Sequence, residues 1–234
     1  MVSTAIILAG GLGTRLKSVN PVLPKPLAPI NGRPFLEYLF DYWIAQGISK
    51  FILSIGYQSQ SIIDHFAQNY RGASIEYSVE NSPLGTGGGL LLSAKSLTET
   101  FLVLNGDTFF EVDLKDLFSF HVNKKSEWTI SLFRTDNFQR YMPMEISMDG
   151  LILKVKEINK QASYLSNGGV YLMNPSVLKN LDKYVDKKFS LESDLLPESF
   201  SSGASLYGLE CVGGFIDIGI PEDYYRAQKI LSRH

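Results

Sequence analysis

Cysteine is nearly absent from this chain. A single Cys211 among 234 residues excludes an intrachain disulfide and a cysteine-built zinc site, and it fits a reducing compartment. The expectation for this thiol is a small buried core residue. Histidine is scarce too: His65, His121 and His234 fall outside every motif below and are assigned packing or surface roles. An excess of charge of either sign is also missing. The 22 basic and 24 acidic residues leave a formal charge of −2, so no basic surface argues for nucleic acid or an anionic membrane. Any anionic substrate must be met by a few placed cations. No apolar run approaches a membrane span, and the N-terminal run is too short and lacks the basic flank of a signal peptide. A cytoplasmic location is therefore expected. With 44% hydrophobic and 20% charged residues, the composition is that of a globular protein, and the length suits one substantial core.

What the chain does have is glycine placed after apolar runs. Ala5 to Ala9 leads into Gly10-Gly11-Leu12-Gly13-Thr14-Arg15-Leu16, followed by Pro24-Lys25-Pro26. A buried strand hands over in this way to a phosphate-cradling loop: glycines leave backbone N–H groups accessible, and Arg15 offers a planar fork of donors. A Walker loop needs Gly-Lys-Ser/Thr, and the dinucleotide fingerprint needs a third glycine where Leu16 stands, so neither applies. A turn that merely packs a strand on a helix would show the same glycines.

The order of elements predicts an α/β fold, a Rossmann-like, mostly parallel mixed sheet flanked by helices. Residues 18 to 34 carry five of the ten prolines and a turn at Asn31-Gly32, which reads as an ordered loop because apolar residues are interleaved. A helix follows from Pro34 through Trp43 and stops at Gly47. Strands are expected at 51–55 and 75–79, with a helix between them at 59–68. A second glycine cluster, Pro83-Leu84-Gly85-Thr86-Gly87-Gly88-Gly89, opens another helix. Phe101 to Leu104 reads as a central strand buried on both faces and ends in Asn105-Gly106-Asp107. Asp113 is the expected cap of a helix reaching His121, and a strand follows at 128–133. From Pro143 the pattern becomes antiparallel, with a hairpin about Asp149-Gly150 and a strand at 170–173. A helix from Asn174-Pro175 to Leu181, another over 190–200, strands at 206–209 and 215–218, and a last helix from Pro221 complete the chain. Ligands of such sheets sit at the carboxyl ends of the strands, where Gly10 to Arg15, the Gly85 turn and Asp107 all fall.

Asp107, closing a buried strand, is a candidate ligand for a hard divalent cation if the substrate is a polyphosphate; as a turn or capping residue it would look the same. Asp217, in the apolar run Phe215-Ile216-Asp217-Ile218-Gly219, supplies a second carboxylate in a place where a charge needs compensation.

These residues resemble the signature of the sugar-1-phosphate nucleotidyltransferases. The match runs from Gly10 to Leu16 and Pro24-Lys25-Pro26 through Pro83 to Gly88, Asn105-Gly106-Asp107 and Asn167-Gly168-Gly169 to Asp217-Ile218-Gly219, nearly the whole chain in order. Its nearest branch is that of the D-glycero-α-D-manno-heptose 1-phosphate guanylyltransferases, which carry runs similar to Ala28-Pro29-Ile30-Asn31 and Ile218-Gly219-Ile220-Pro221-Glu222-Asp223. The resemblance implies a nucleotidyltransferase (GT-A-like) fold in a single domain over 1–234, with a nucleotide-binding half over 1–135 and a sugar-binding half over 136–234. It implies that Arg15 and Lys25 hold the triphosphate and that Asp107 and Asp217 bind Mg²⁺. Leu8, Ala9, Gly10, Gly11, Gly13 and Thr14 would line the nucleotide, together with Glu80, Pro83, Gly85, Thr86, Asn105 and Gly106. Arg140, Glu157, Asn167, Gly168 and Gly169 would line the sugar.

The implied reaction joins GTP and a sugar 1-phosphate. A phosphate oxygen of the sugar, already ionised at neutral pH, attacks the α-phosphorus and expels pyrophosphate, so positioning and charge neutralisation replace a general base. Glu80 stands where thymidylyl and uridylyl relatives tend to carry glutamine; a carboxylate accepts from the adjacent N1–H and N2–H₂ of guanine. A solvated charge at a strand end is the plainer reading of Glu80. Two positions depart from the family pattern. Glu157-Ile158 replaces a Glu-Lys pair, leaving Lys156 or Lys160 as substitutes, and Met142 follows Arg140-Tyr141 where a glycine is usual. Both lie on the acceptor side. Mannose 1-phosphate is the alternative acceptor, and a nucleotide-sugar-binding regulatory subunit without turnover is the alternative outside the enzyme class. A homodimer is common among related proteins.

Overall fold

The computed structural model describes residues 2–11, 13, 16, 22–137, 139–155, 163–179, 181–185 and 187–233. Its centre is strand β1 (Thr4–Leu8), whose apolar residues are buried on both faces. A single 3₁₀ turn (Lys25–Leu27) leads to a tight hairpin of β2 (Pro29–Ile30) and β3 (Arg33–Pro34). Asn31 and Gly32 both take positive φ, 48° and 79°, as a two-residue turn with the twist of its strands requires. Helix α1 (Phe35–Ala45) follows, and Gly47 at φ 98° ends it. Then come β4 (Lys50–Ile55), α2 (Ser59–Phe66), β5 (Asn69–Tyr70) and β6 (Ala73–Val79).

Helix α3 (Gly85–Ser93) precedes β7 (Phe101–Asn105) and the short β8 (Thr108–Phe110). Asp113 caps α4 (Leu114–Asn123), accepting from the Asp116 N–H at 2.9 Å, a side-chain cap of the expected kind. The second half supplies β9 (Trp128–Thr135), the hairpin of β10 (Pro143–Ile146) and β11 (Ile152–Val155), and the long β12 (Tyr164–Met173). Helix α5 (Leu196–Ser201), β13 (Leu206–Glu210), β14 (Phe215–Asp217) and α6 (Pro221–Ile230) complete the chain.

Strands β7, β1, β4 and β6 lie side by side and parallel, which is the arrangement the β-α alternation predicts. Strand β12 runs antiparallel to both β7 and β9, β13 runs parallel to β9, and the β10–β11 hairpin extends the same ten-stranded mixed sheet. Alternate residues of β1 feed the two faces: Ala5 and Ile7 join the core under α1 and α6, while Ile6 joins the one under α3 and α5. The two halves thus share one sheet, and every parallel strand ends on the same rim.

Several elements differ from the sequence reading: β12 begins at Tyr164 where a strand over 170–173 was expected, and β5 and β8 were not expected. After Asn174 the described residues form a 3₁₀ turn, Pro175–Leu178, and a second at Asp182–Tyr184, rather than one helix to Leu181. The Asn174 side chain is committed elsewhere, accepting from Thr100 and donating to the Ser126 carbonyl, so it does not cap. The stretch 190–200 is helical, but it starts as one π turn over Leu191–Leu195. The Leu195 and Leu196 N–H groups reach back five residues, to Ser190 and Leu191. Pro197 then enters the first turn of α5 without needing a donor, as proline does at such positions. Cys211 is half-buried rather than fully buried, and burial pushes its thiol up to about 11. Among the described residues, no helix is long and apolar enough to cross a membrane.

Candidate functional site

At the rim where the parallel strands end, three backbones converge. Ala9 N–H donates to the Ser54 carbonyl at 2.8 Å, and Gly106 N–H donates to the Leu8 carbonyl at 2.9 Å. A β-carbon on Gly106 would lie 2.7 Å from that carbonyl oxygen, and one on Gly10 would lie 2.6 Å from Glu80 Oε1. Glycine at both places is therefore a matter of space. Gly13 has φ +59°, a backbone that L side chains rarely adopt.

Two cavities of ≈ 490 Å³ each open on this rim and share Asn105, Asp107 and Glu192. Of the residues expected at the nucleotide, Leu8, Ala9, Gly10, Gly11 and Gly13 line the first, along with Glu80, Pro83, Gly85 and Thr86. Asn105, Gly106 and Lys25 complete that set. Of those expected at the sugar, Arg140, Asn167, Gly168 and Gly169 line the second cavity, with Asp217. Thr14, Arg15, Glu157, Lys156 and Lys160 lie outside the described residues.

Lys25 sits in the 3₁₀ turn set by Pro24 and Pro26, and its side chain is only 11% exposed. Its Nζ meets Asp107 Oδ2 at 2.5 Å. Asp107 lies in the tight connection between β7 and β8, and β14 pairs antiparallel with β8 so that Asp217 faces Thr108. Asp217 accepts from the Gly219 N–H through Oδ1 at 2.6 Å and from Arg140 through Oδ2 at 3.0 Å. Arg140 also pairs with Asp223, which is buried and held in turn by Arg226. Burial opposes the Arg140 charge, but Asp217 and Asp223 outweigh it and raise its pKa above the usual value. The cost of placing Asp217 in an apolar strand is met by this arginine.

No group of three or more metal-ligating side chains occurs among the described residues. Two carboxylates, Asp107 in the β7–β8 connection and Asp217 in β14, suit Mg²⁺, which typically takes one or two carboxylates and completes its shell with water and substrate phosphates. The donor set fits that ion and would not form an all-protein cage.

Glu80 ends the run after β6 with its carboxylate fixed. Oε2 accepts from the Leu84 N–H at 2.9 Å and Oε1 from Ser54 at 3.3 Å, so it is held by the protein and is not a free solvated charge. The second glycine cluster acts differently from the first. β-carbons on Gly85 and Gly87 would come within 2.4 Å and 2.3 Å of Phe189, and one on Gly89 within 2.5 Å of Ser54 Oγ. Gly87 N–H donates to the Phe189 carbonyl. These glycines chiefly let α3 pack closely, while Gly85 and Thr86 alone of its first residues reach the cavity wall.

Asn167-Gly168-Gly169 forms a bulge in β12. Asn167 pairs with Leu132 and Tyr171 with Ile130, so the register slips between them. Gly169 takes φ +72°, and a β-carbon on Gly168 would strike the Phe110 ring. A bulge of this kind re-aims side chains at functional sites, and here it turns Asn167 into the second cavity. Met142 also stands in that wall, its carbonyl accepting from Ser166 at 2.7 Å.

Sequence reasoning missed Glu192 and Lys188, both on the wall of the first cavity. Lys188 reads as one of a surface lysine pair, and Glu192 as the polar face of a helix; neither carries a local signal. Tyr141 and Phe215, neighbours of recognised residues, line the second cavity.

Residues 4–234 match the family described as Nucleotidyl transferase. The chain is 42% identical over 231 residues to a D-glycero-alpha-D-manno-heptose 1-phosphate guanylyltransferase of Aneurinibacillus thermoaerophilus, covering 98% of this chain and 99% of the relative. It is 40% identical over 223 residues to the enzyme of the same name from Campylobacter jejuni, covering 94% and 96%. The crystal structure of HddC from Yersinia pseudotuberculosis complexed with GMP-PN superposes with a TM-score of 0.84 at 35% identity, over 98% of this chain and 100% of that one. The shared sheet, the rim on which both cavities open and near-full-length identity place this chain in the nucleotidyl transferase family.

Proposed function

We propose that the protein transfers GMP from GTP to a sugar 1-phosphate, D-glycero-α-D-manno-heptose 1-phosphate, releasing GDP-heptose and pyrophosphate. The observation that carries the reading is the meeting of two cavities at Asp107, with a nearly buried cation, Lys25, on that carboxylate. A nucleotide in the first cavity and a sugar phosphate in the second would bring two anions together there. Two full-length relatives bearing the heptose guanylyltransferase name support the choice of nucleotide and sugar.

The chain's own residues supply placement and charge. Lys25 neutralises phosphate oxygens as the two anions approach, a contribution that grows where water is excluded. The glycines from Gly10 to Gly13 let phosphates come close to the backbone. Glu80, already oriented by Leu84 and Ser54, presents its remaining lone pairs to the N1–H and N2–H₂ of guanine. The bulge at Asn167 to Gly169 faces the sugar. Asp107 and Asp217 would hold Mg²⁺, and the ion would supply positive charge against the mutual repulsion of the phosphates. Because the attacking phosphate is already ionised, no side chain needs to remove a proton. His121 and His65 accordingly sit elsewhere: His121 is buried against Thr129, and His65 is on the surface beside Glu37.

Pyrophosphate release from GTP with a panel of sugar 1-phosphates tests the reading. Turnover with the heptose 1-phosphate, exceeding that with mannose 1-phosphate, is expected. Faster turnover with mannose 1-phosphate would reassign the acceptor. Tight binding of a GDP-sugar with no turnover of any acceptor would make the protein a regulatory subunit.

A further inference from the structure

Glu192 stands in the wall between the two cavities and belongs to both linings. Its carboxylate accepts four hydrogen bonds. Oε2 takes Thr86 Oγ1 at 3.1 Å and Ser190 Oγ at 3.3 Å, while Oε1 takes the Tyr171 hydroxyl at 3.2 Å and Asn105 Nδ2 at 3.4 Å.

The direction of the hydroxyl bonds is dictated by chemistry. Thr86 Oγ1 accepts from the Leu191 N–H at 2.8 Å, and Ser190 Oγ from the Ser193 N–H at 3.1 Å. A backbone N–H can only donate, so each hydroxyl turns its own proton to Glu192. On the other side, the Gly169 N–H donates to Asn167 Oδ1 at 2.9 Å. That fixes the Asn167 amide with Nδ2 toward the Tyr171 oxygen, at 2.8 Å, and the fully buried Tyr171 passes its proton on to Glu192. Burial, aided by the Glu192 charge, holds the phenol well above its usual pKa, so it stays a donor. The chains from the α3 turn and from the β12 bulge therefore both end on one acceptor-only group.

We infer that Glu192 is a positioning residue that ties the nucleotide cavity, through Thr86, to the acceptor cavity, through Tyr171 and the Asn167-Gly168-Gly169 bulge. The inference rests on the guanylyltransferase reading for its substrates. A carboxylate is required because glutamine at 192 would set an NH₂ donor against either the tyrosine or the threonine and serine hydroxyls. A negative charge beside two phosphate sites is otherwise unfavourable, and its retention here is accounted for by the four donors it collects.

The test compares native protein with Glu192→Gln, Tyr171→Phe and the double variant, measuring kcat and both KM values with GTP and the sugar 1-phosphate, and thermal unfolding. Tyr171→Phe cuts the branch to the bulge and leaves Thr86 and Ser190 on Glu192. It should raise the acceptor KM by about tenfold, the size of a lost hydrogen bond to a charged group, with the GTP KM within about twofold of native. Glu192→Gln should raise the acceptor KM at least as much, and the double variant should be no worse than Glu192→Gln, because both act through one link. An acceptor KM unchanged in Tyr171→Phe, or effects that multiply in the double variant, would overturn the inference. Should Glu192→Gln fail to fold, Tyr171→Phe decides alone. Absence of turnover in the native protein would instead strike the guanylyltransferase reading itself, before any variant is compared.

Discussion

Lys25 Nζ lies 2.5 Å from Asp107 Oδ2, the lysine side chain 11% exposed and the aspartate 38%. The cation that the resemblance assigns to phosphate and the carboxylate it assigns to a metal are thus partners in the protein alone. Asp217 is matched in the same way by Arg140. Both carboxylates are compensated before any substrate arrives, which lets two negative charges stand on one rim at little cost in stability.

Removing either partner of that first pair should strike activity far more than folding. Lys25→Met is expected to lower kcat/KM by about 10²–10³-fold, the usual cost of one preorganised charge-stabilising group. Asp107, the carboxylate that loses this lysine, is 38% exposed and can be met by water, so the midpoint of thermal unfolding should move little. Asp107→Asn should abolish pyrophosphate release while leaving the far-UV spectrum unchanged. Full activity in excess EDTA would refute a divalent ion at Asp107 and Asp217.

Base selection should follow Glu80. Glu80→Gln replaces one acceptor with a donor and is expected to reduce the preference for GTP over UTP and dTTP by about ten- to a hundredfold, the worth of a bidentate base contact. Comparing kcat/KM for the three nucleotides checks it. Equal discrimination in the variant would show that guanine is read elsewhere.

Gly87→Ala separates packing from ligand binding in the second glycine cluster. Alanine favours a helix by about 1 kcal/mol over glycine, but the new β-carbon would lie 2.3 Å from the buried Phe189 ring. Overpacking of that kind costs about 1–3 kcal/mol, so the net effect is expected to be a lower unfolding midpoint, read by calorimetry. A raised midpoint would show that Phe189 yields freely.

Stability should fall with pH through His121. Burial lowers its pKa below the usual 6.5, partly offset by Asn174, so the unfolded chain binds the proton more readily. The contribution is fully present above about 6.5 and is lost as pH drops toward the folded-state value. The slope should not exceed about 1.4 kcal/mol per pH unit, one proton's worth. Urea titrations between pH 7 and 5.5 measure it, and His121→Gln should flatten the curve over that range. An unchanged slope would assign it to other groups.

Much of the fold was legible in the residue order. The apolar runs of β1, β4 and β7 are buried on both faces and read as continuous hydrophobic stretches, and Asp113, Gly47 and Asn31-Gly32 act locally as capping and turn residues. The 3₁₀ turn after Asn174 was not legible, because that side chain bonds to Thr100, 74 residues away in sequence. The π turn before Pro197 likewise depends on how Leu191 and Leu195 pack.

By itself the sequence determined which residues meet at the rim, since Gly10, Lys25, Glu80, Asn105 and Asp107 lie in or just beyond the segments that end there. The opening glycines, each aspartate as a separate candidate and the parallel half of the sheet follow from local pattern. Only the tertiary structure decided that Arg140 compensates Asp217, that Gly87 to Gly89 serve packing, and that Glu192 closes the wall between two cavities. Arg140 and Asp217 are 77 positions apart and Thr86 and Glu192 are 106, and hydrogen-bond direction and close approach exist only once the backbones are brought together.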